Sequence, residues 1–270
     1  MQDSPPLAGR AALVTGASSG IGAAFATELA TRGANLVLVA RSAGKLDQLA
    51  TSLRSRHAVE VATLHLDLAA PDASRRFFEH VNDLGSAIDF LVNNAGVGYR
   101  GRVAASDPEQ MAALVDLNVK SVMDATIRFL PGMISRGHGT IINVASAGAF
   151  QPTPYMAAYA ASKAFILSFT QAVGTETAGT GVRMLALCPG PTDTPMTAGK
   201  KIPTVAGMRS AEQVVATAFK ALGTRKTSVV DGRRNALFAR MVSKRFPDSI
   251  ILNLARRLEP ADHTPHHPVA

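Results

Sequence analysis

"RAALVTGASSGIG", residues 10–22, starts as a short apolar run and breaks into glycine and serine before a helical stretch. A run of this kind without polar alternation reads as a strand buried on both faces. The small residues after it let backbone N–H groups approach a phosphate closely, and the helix start adds a favourable dipole. The spacing is Gly16-x-x-x-Gly20-x-Gly22, not the G-x-G-x-x-G dinucleotide fingerprint. A glycine-rich turn needed only for tight packing is the plainer reading. The position argues against it, with the first strand in front and the first helix behind.

Outward from this turn the same alternation recurs. Residues 35–40, 60–66, 88–94, 139–146, 181–190 and 226–232 repeat the apolar type. Helical stretches fall between them near 20–32, 43–56, 71–84, 107–134, 156–178 and 210–222. Strands alternating with helices of this length predict parallel βαβ units with right-handed crossovers. The expected fold is therefore α/β: a Rossmann-like, doubly wound parallel sheet of about seven strands in three α/β/α layers. One domain is expected over residues 1–258, with 224–258 a basic C-terminal extension and 259–270 a disordered tail.

Composition narrows the function classes. The 270 residues are 47% hydrophobic and 18% charged, ordinary for one globular domain. Cys188 is the single cysteine, so no disulfide forms within the chain and a reducing compartment is expected. "MQDSPPLAGR" lacks the charged-then-apolar pattern of a leader, and no apolar run reaches the roughly 18 residues of a membrane helix. The expectation is a soluble, cytoplasmic protein. The net charge is +8, but residues 224–257 hold nine Lys/Arg against Asp231 and Asp248, so the body is nearly balanced. No base-stacking aromatics accompany that charge, and nucleic acid is not an expected partner. The extension carries Leu237, Phe238, Met241 and Val242, then Ile250, Ile251, Leu254 and Leu258. Packing on the domain or a partner subunit is favoured over peripheral membrane contact. The three histidines of the tail have no metal-ligand spacing, and no metal is expected.

The chain resembles the short-chain dehydrogenase/reductase family, in its compact single-domain branch, from about residue 9 to 231. The likeness rests on "TGASSGIG" (15–22), "NNAG" (93–96), Asn118 in "DLNVKS", Ser146, "YAASK" (159–163) and "PGPTDT" (189–194). It implies reversible carbonyl/alcohol hydride transfer with a bound NAD(P), and a Tyr-x-x-x-Lys pair preceded by Ser with a more distant Asn. Tyr159 and Lys163 are one helical turn apart and share a face, whereas Tyr155 has no lysine within a turn. Tyr159 is thus the expected acid/base, Ser146 a hydrogen-bond partner of the substrate oxygen and Lys163 a holder of the nicotinamide ribose. Asn118, expected inside one long helix, would anchor a water relay, or would only bend that helix. Ser162 points off this face and receives no role. A free tyrosine titrates near 10, and a nearby ammonium together with the positive nicotinamide of oxidised coenzyme is expected to lower it.

The resemblance further implies coenzyme contacts at Gly16, Ser18, Ser19, Gly20, Ile21 and Gly22, at Asn94, Ala95 and Gly96, and at Pro189, Gly190, Thr192 and Thr194. Asp67 would meet the adenine amino group, with Leu68 offering backbone. The second strand ends in Arg41 and Ser42 with no carboxylate, and a guanidinium suits a 2′-phosphate, so NADP(H) is the expected coenzyme. Val97, Tyr99, Phe150, Tyr155, Met156 and Met196 are expected to wall a mostly apolar pocket for an apolar or aromatic substrate. Residues 191–208 hold several glycine and proline breakers and are expected to close over the cofactor. Arg100 and Arg102 could hold an acidic group or only face solvent. Apolar residues on the helices near 107–134 and 156–178 suggest a homodimer or homotetramer. Two rivals stand beside this reading, an idle NADP(H)-binding regulator or scaffold and a sugar-nucleotide epimerase.

Overall fold

The computed structural model describes residues 7–85, 87–199, 207–237, 239 and 252. Seven strands form one wholly parallel sheet: β1 (Ala11–Thr15), β2 (Asn35–Ala40), β3 (Val61–His65), β4 (Ile88–Asn93), β5 (Gly139–Val144), β6 (Val182–Cys188) and β7 (Ser228–Val230). Their order is β3-β2-β1-β4-β5-β6-β7. All seven strands expected from the apolar runs are present.

Both faces of the sheet are covered, and this explains why the runs do not alternate. In β1, Ala12 and Val14 face one layer with Phe25, Ala26 and Leu29 of α1 (Gly20–Thr31). α2 (Ala43–Arg56) and α7 (Ala211–Leu222) complete that layer through Leu46, Val214 and Phe219. Leu13 of the same strand faces the other layer, with Phe77 of α3 (Ala73–Asp83), Phe129 and Met133 of α5 (Ser121–Arg136) and Val173 of α6 (Ala157–Glu176). Successive side chains of a strand point to opposite faces, so a two-sided core demands apolar residues at every position.

The expected long helix over 107–134 is not continuous. α4 (Pro108–Val115) ends in a π-helical turn, Asp116–Lys120, before α5 resumes the α-helical ladder. Such a turn inserts one extra residue and re-aims the side chains around it. Asn118 lies in it and is fully buried.

Beyond β6, Thr192–Asp193 pairs in parallel with Arg209–Ser210, a two-residue ladder that closes the chain segment leading to α7. The first part of the basic extension packs on the domain. Residues 233–237 are helical, and Asn235 and Ala239 are buried. The expected apolar stripes around Met241 and Ile250, and the tail 259–270 with its histidines, lie outside the described residues. No helix among the described residues is long and apolar enough to cross a membrane.

Candidate active site

The strand order reverses between β1 and β4, so their carboxyl ends splay and leave a crevice. An open cleft occupies it, lined by Gly16, Ser18–Ile21, Ala40–Ser42, Leu66–Leu68, Asn94–Val97 and Thr194–Met196. Thirteen of the residues named for a coenzyme therefore meet in one place, whereas Gly22, Tyr159, Lys163, Pro189, Gly190 and Thr192 are not on this lining.

The glycine turn is fitted to its neighbours. Gly16 has φ +65°, and a Cβ there would stand 2.8 Å from Asn94 Nδ2 and 2.9 Å from Ala95 Cα. Asn94 Nδ2 donates to the Thr15 and Gly16 carbonyls at 3.0 and 3.2 Å. The Thr15 hydroxyl accepts from the Asn94 and Ala95 amides, both at 3.0 Å. Thr15 was not singled out from sequence, yet it locks the loop after β4 to the loop after β1. At the start of α1 the Ser19 side chain makes no cap hydrogen bond, and the first helical N–H groups have no intrahelical acceptor. Donors of this kind at a helix N-terminus suit a diphosphate. The turn thus fits the dinucleotide implied by the sequence.

At one end of the cleft Arg41 Nη1 stands 3.9 Å from Asp67 Oδ2, with the two side chains 44% and 45% exposed. Ser42 begins α2 with its hydroxyl free of any cap bond. At the other end lie the residues of the expected chemistry. Ser146 follows β5, and its Oγ accepts from Gly148 N at 3.0 Å. Lys163 Nζ donates to the Val144 carbonyl at 2.9 Å and stands 5.9 Å from the centroid of the Tyr159 ring. A Cβ on Gly96 would lie 3.1 Å from Asn118 Oδ1 and 3.4 Å from Lys163 Nζ, so this end of the cleft reaches the lysine. Tyr159 to Lys163 is the pair on one helix face, as the spacing predicts.

Asn118 spends its amide on backbone rather than on its own helix. Oδ1 accepts from Val97 N and Nδ2 donates to Val97 O, each at 2.9 Å. Nδ2 also donates to Ser162 Oγ at 3.1 Å, and Ser162 Oγ donates to the Tyr159 carbonyl at 2.7 Å. Ser162 therefore corrects the sequence reading that left it without a role. It is buried and ties the Asn118 turn to the tyrosine-bearing turn of α6. Its signal in the sequence was a serine three residues after Tyr159, which spacing alone does not separate from an ordinary helical serine.

The electrostatics of the chain alone run the other way. Lys163 together with the charge of an oxidised coenzyme was expected to pull the Tyr159 phenol down, and in the chain by itself the phenol pKa is raised. Burial is the larger cause, and the Ser146 hydroxyl bonded to it pulls the other way. Lys163 is itself desolvated, which lowers its ammonium to about 8, while the adjacent Cys188 thiol works weakly upward.

The expected pocket residues separate into two groups. Val97 and Met196 line the cleft, and a Cβ on Gly98 would lie 3.9 Å from Met196 Sδ. Tyr99 is buried, its ring packed on Gly101. Phe150 packs against the small cluster of Val122, Ala145 and Ile166. Tyr155 adopts φ +62°, its carbonyl accepting from Gly101 N at 2.8 Å, and Met156 is half-buried at the start of α6. A non-glycine residue in that region is strained and persists only when its surroundings hold it.

A doubly wound parallel sheet with a glycine-lined cleft at its switch point defines a fold of the Rossmann type. More narrowly, the chain belongs to the short-chain dehydrogenase family, whose model matches residues 10–203. An uncharacterized oxidoreductase of Staphylococcus epidermidis is 36% identical over 190 residues, 70% of this chain and 81% of that protein. A solved 7beta-hydroxysteroid dehydrogenase superposes with a TM-score of 0.86 at 27% identity, covering 92% of this chain and 97% of the other. A short-chain dehydrogenase from Sphingobium yanoikuyae, solved in complex with NADPH, gives a TM-score of 0.79 at 29% identity over 94% and 98% of the two chains.

Proposed function

We propose that the protein is an NADP(H)-dependent oxidoreductase that interconverts a ketone or aldehyde with an alcohol, using Tyr159 as general acid and base. One observation carries the reading: Tyr159, Ser146 and Lys163 gather beyond the carboxyl end of β5, with Lys163 Nζ against Gly96 of the cleft wall.

When bound, the coenzyme supplies or accepts the hydride. The chain's own groups do the rest. Ser18–Ile21 and the α1 N-terminus would receive the diphosphate, and Arg41 with Ser42 the 2′-phosphate of the adenosine. Pro189 and Gly190 lead from β6 through buried Thr192 to Thr194 on the cleft wall. Ser146 Oγ and the Tyr159 hydroxyl hold the substrate oxygen between them. In reduction Tyr159 gives its proton to that oxygen, and in oxidation it removes the alcohol proton. The raised phenol pKa keeps Tyr159 protonated at neutral pH, the form that reduction needs. Lys163 would hold the ribose hydroxyls, and Asn118 with Ser162 fixes the turn from which Tyr159 projects.

Val97 and Met196 make the reachable wall apolar, which favours an apolar or aromatic carbonyl. The likeness to a hydroxysteroid dehydrogenase supports a bulky apolar substrate. Exposed Val115, Ile127 and Ile134 on α4 and α5, and Phe165 on α6 stacked on Phe169 at 5.7 Å, support pairing of these helices in a homodimer or homotetramer. Light scattering on the purified protein tests this, and a monomer would overturn it.

The test of the chemistry is Tyr159→Phe. NADPH oxidation with a panel of ketones and aldehydes, NADH alongside, should be lost while NADPH still binds. Undiminished turnover would sink the mechanism.

A further inference from the structure

Asp231 is a fully buried carboxylate outside the chemistry just described. It follows β7 directly, its amide donating to the Cys188 carbonyl at 3.0 Å to extend the β6–β7 ladder. Arg209 Nε donates to Oδ2 at 2.6 Å and the Thr217 hydroxyl donates to Oδ1 at 2.5 Å, so each oxygen has a partner. The Asp231 carbonyl accepts from Asn235 Nδ2 at 3.0 Å. A Cβ on Gly232 would meet Arg209 Cδ at 3.2 Å, and one on Gly190 would collide with Asn235. Arg209 and Thr217 therefore close on the carboxylate, while Cys188 and Asn235 hold the Asp231 backbone.

Arg209 is also backbone-paired. Its N–H donates to Pro191 O at 3.1 Å, and Arg209–Ser210 forms the parallel ladder with Thr192–Asp193. The residues that follow Asp193 form the outer wall of the cleft. Thr194 packs on Gly20 at the start of α1, where a Cβ would stand 3.1 Å from Thr194 Cγ2. Met196 packs towards Gly98 in the loop after β4.

We propose that the Arg209–Asp231 pair positions the coenzyme cleft. By locking Arg209–Ser210 onto Thr192–Asp193, it holds Thr194–Met196 against α1 and the β4 loop at the nicotinamide end. Arg209 and Asp231 touch neither coenzyme nor substrate and act through Thr194. A buried carboxylate stripped of its cation is strongly disfavoured, so the pair acts as a latch rather than an adjustable contact. The inference rests on the dinucleotide reading of the cleft and adds a prediction about which half of the ligand is affected. The adenosine half, at Arg41 and Ser42, lies at the opposite end and should not feel the latch.

The experiment compares equilibrium binding of NADPH and of adenosine 2′,5′-bisphosphate, which carries only the adenosine half. Arg209→Met and Asp231→Asn should each weaken NADPH tenfold or more while the bisphosphate binds within twofold of wild type. Arg209→Lys, which keeps the cation, should recover most of the loss. Thr217→Val is a milder variant that leaves the ion pair, and should weaken NADPH about threefold even if the others fold poorly. Equal NADPH affinity in wild type and folded variants would overturn the latch, as would parallel loss of both ligands. A wild-type protein that binds no nicotinamide dinucleotide would overturn the coenzyme reading itself.

Discussion

At the Lys163 end of the cleft, Asn118, Ser162 and Lys163 are buried, and their polar atoms are committed to hydrogen bonds of 2.7–3.1 Å. At the Arg41 end, a guanidinium and a carboxylate nearly half exposed meet across 3.9 Å. The first end is set by the fold, because a buried polar group left unpaired costs more than its bond returned. The second is set by solvent and by whatever anion arrives, because an exposed pair contributes little. Substitutions at the two ends should therefore differ in kind. The buried end should couple activity to stability, and the exposed end should change ligand preference alone.

Lys163→Met should have the largest effect. Turnover should fall roughly 10²- to 10³-fold, the range of a lost proton-transfer arrangement, as read by steady-state NADPH oxidation. Loss of less than tenfold would place the chemistry elsewhere. The same variant tests the burial of the charge. The ordinary ammonium titrates near 10.5 and Lys163 near 8, so between those values the unfolded chain binds the extra proton. Wild-type stability should thus rise from pH 8 to 10.5 relative to Lys163→Met, on the order of 3 kcal/mol in all. Urea melts at pH 7 and pH 10 would show it, and a pH-independent difference would contradict a buried, desolvated lysine.

Asn118→Ala comes next. Both polar atoms of Val97 and the Ser162 hydroxyl lose their partner, so the protein should lose about 2–3 kcal/mol and turnover should drop roughly tenfold to a hundredfold. Ser162→Ala should follow at about 1 kcal/mol with a few-fold loss of turnover. An inert Ser162→Ala would separate that hydroxyl from the tyrosine-bearing turn.

Arg41→Asp should have the smallest effect on the protein and an effect only on choice. The ratio of NADPH to NADH kcat/KM should fall about tenfold or more, which corresponds to roughly 1.4 kcal/mol. The melting temperature should stay nearly unchanged, since Arg41 is 44% exposed and its pair is loose. Equal preference before and after would remove Arg41 from coenzyme selection. Salt offers a parallel check, because raising ionic strength should weaken NADPH binding through Arg41 more than it slows saturated turnover.

The amino-acid sequence specified the sheet and its seven strands. Apolar runs without alternation can only be satisfied by strands covered on both faces, and glycine after the first of them marks the switch-point crevice. It also separated Tyr159 from Tyr155, because one helical turn to Lys163 is a local property of spacing. Tertiary structure alone decided the rest. The π turn at Asp116–Lys120, the Ser162 link, the Thr15 lock and the Arg209–Asp231 latch join residues 21, 44, 79 and 22 positions apart. The upward shift of Tyr159 and the downward shift of Lys163 come from how much water packing removes around each group. Periodicity reports which face of an element is apolar. It carries no information on which distant atom completes a buried hydrogen bond, or on how dry a charge becomes once the chain has closed around it.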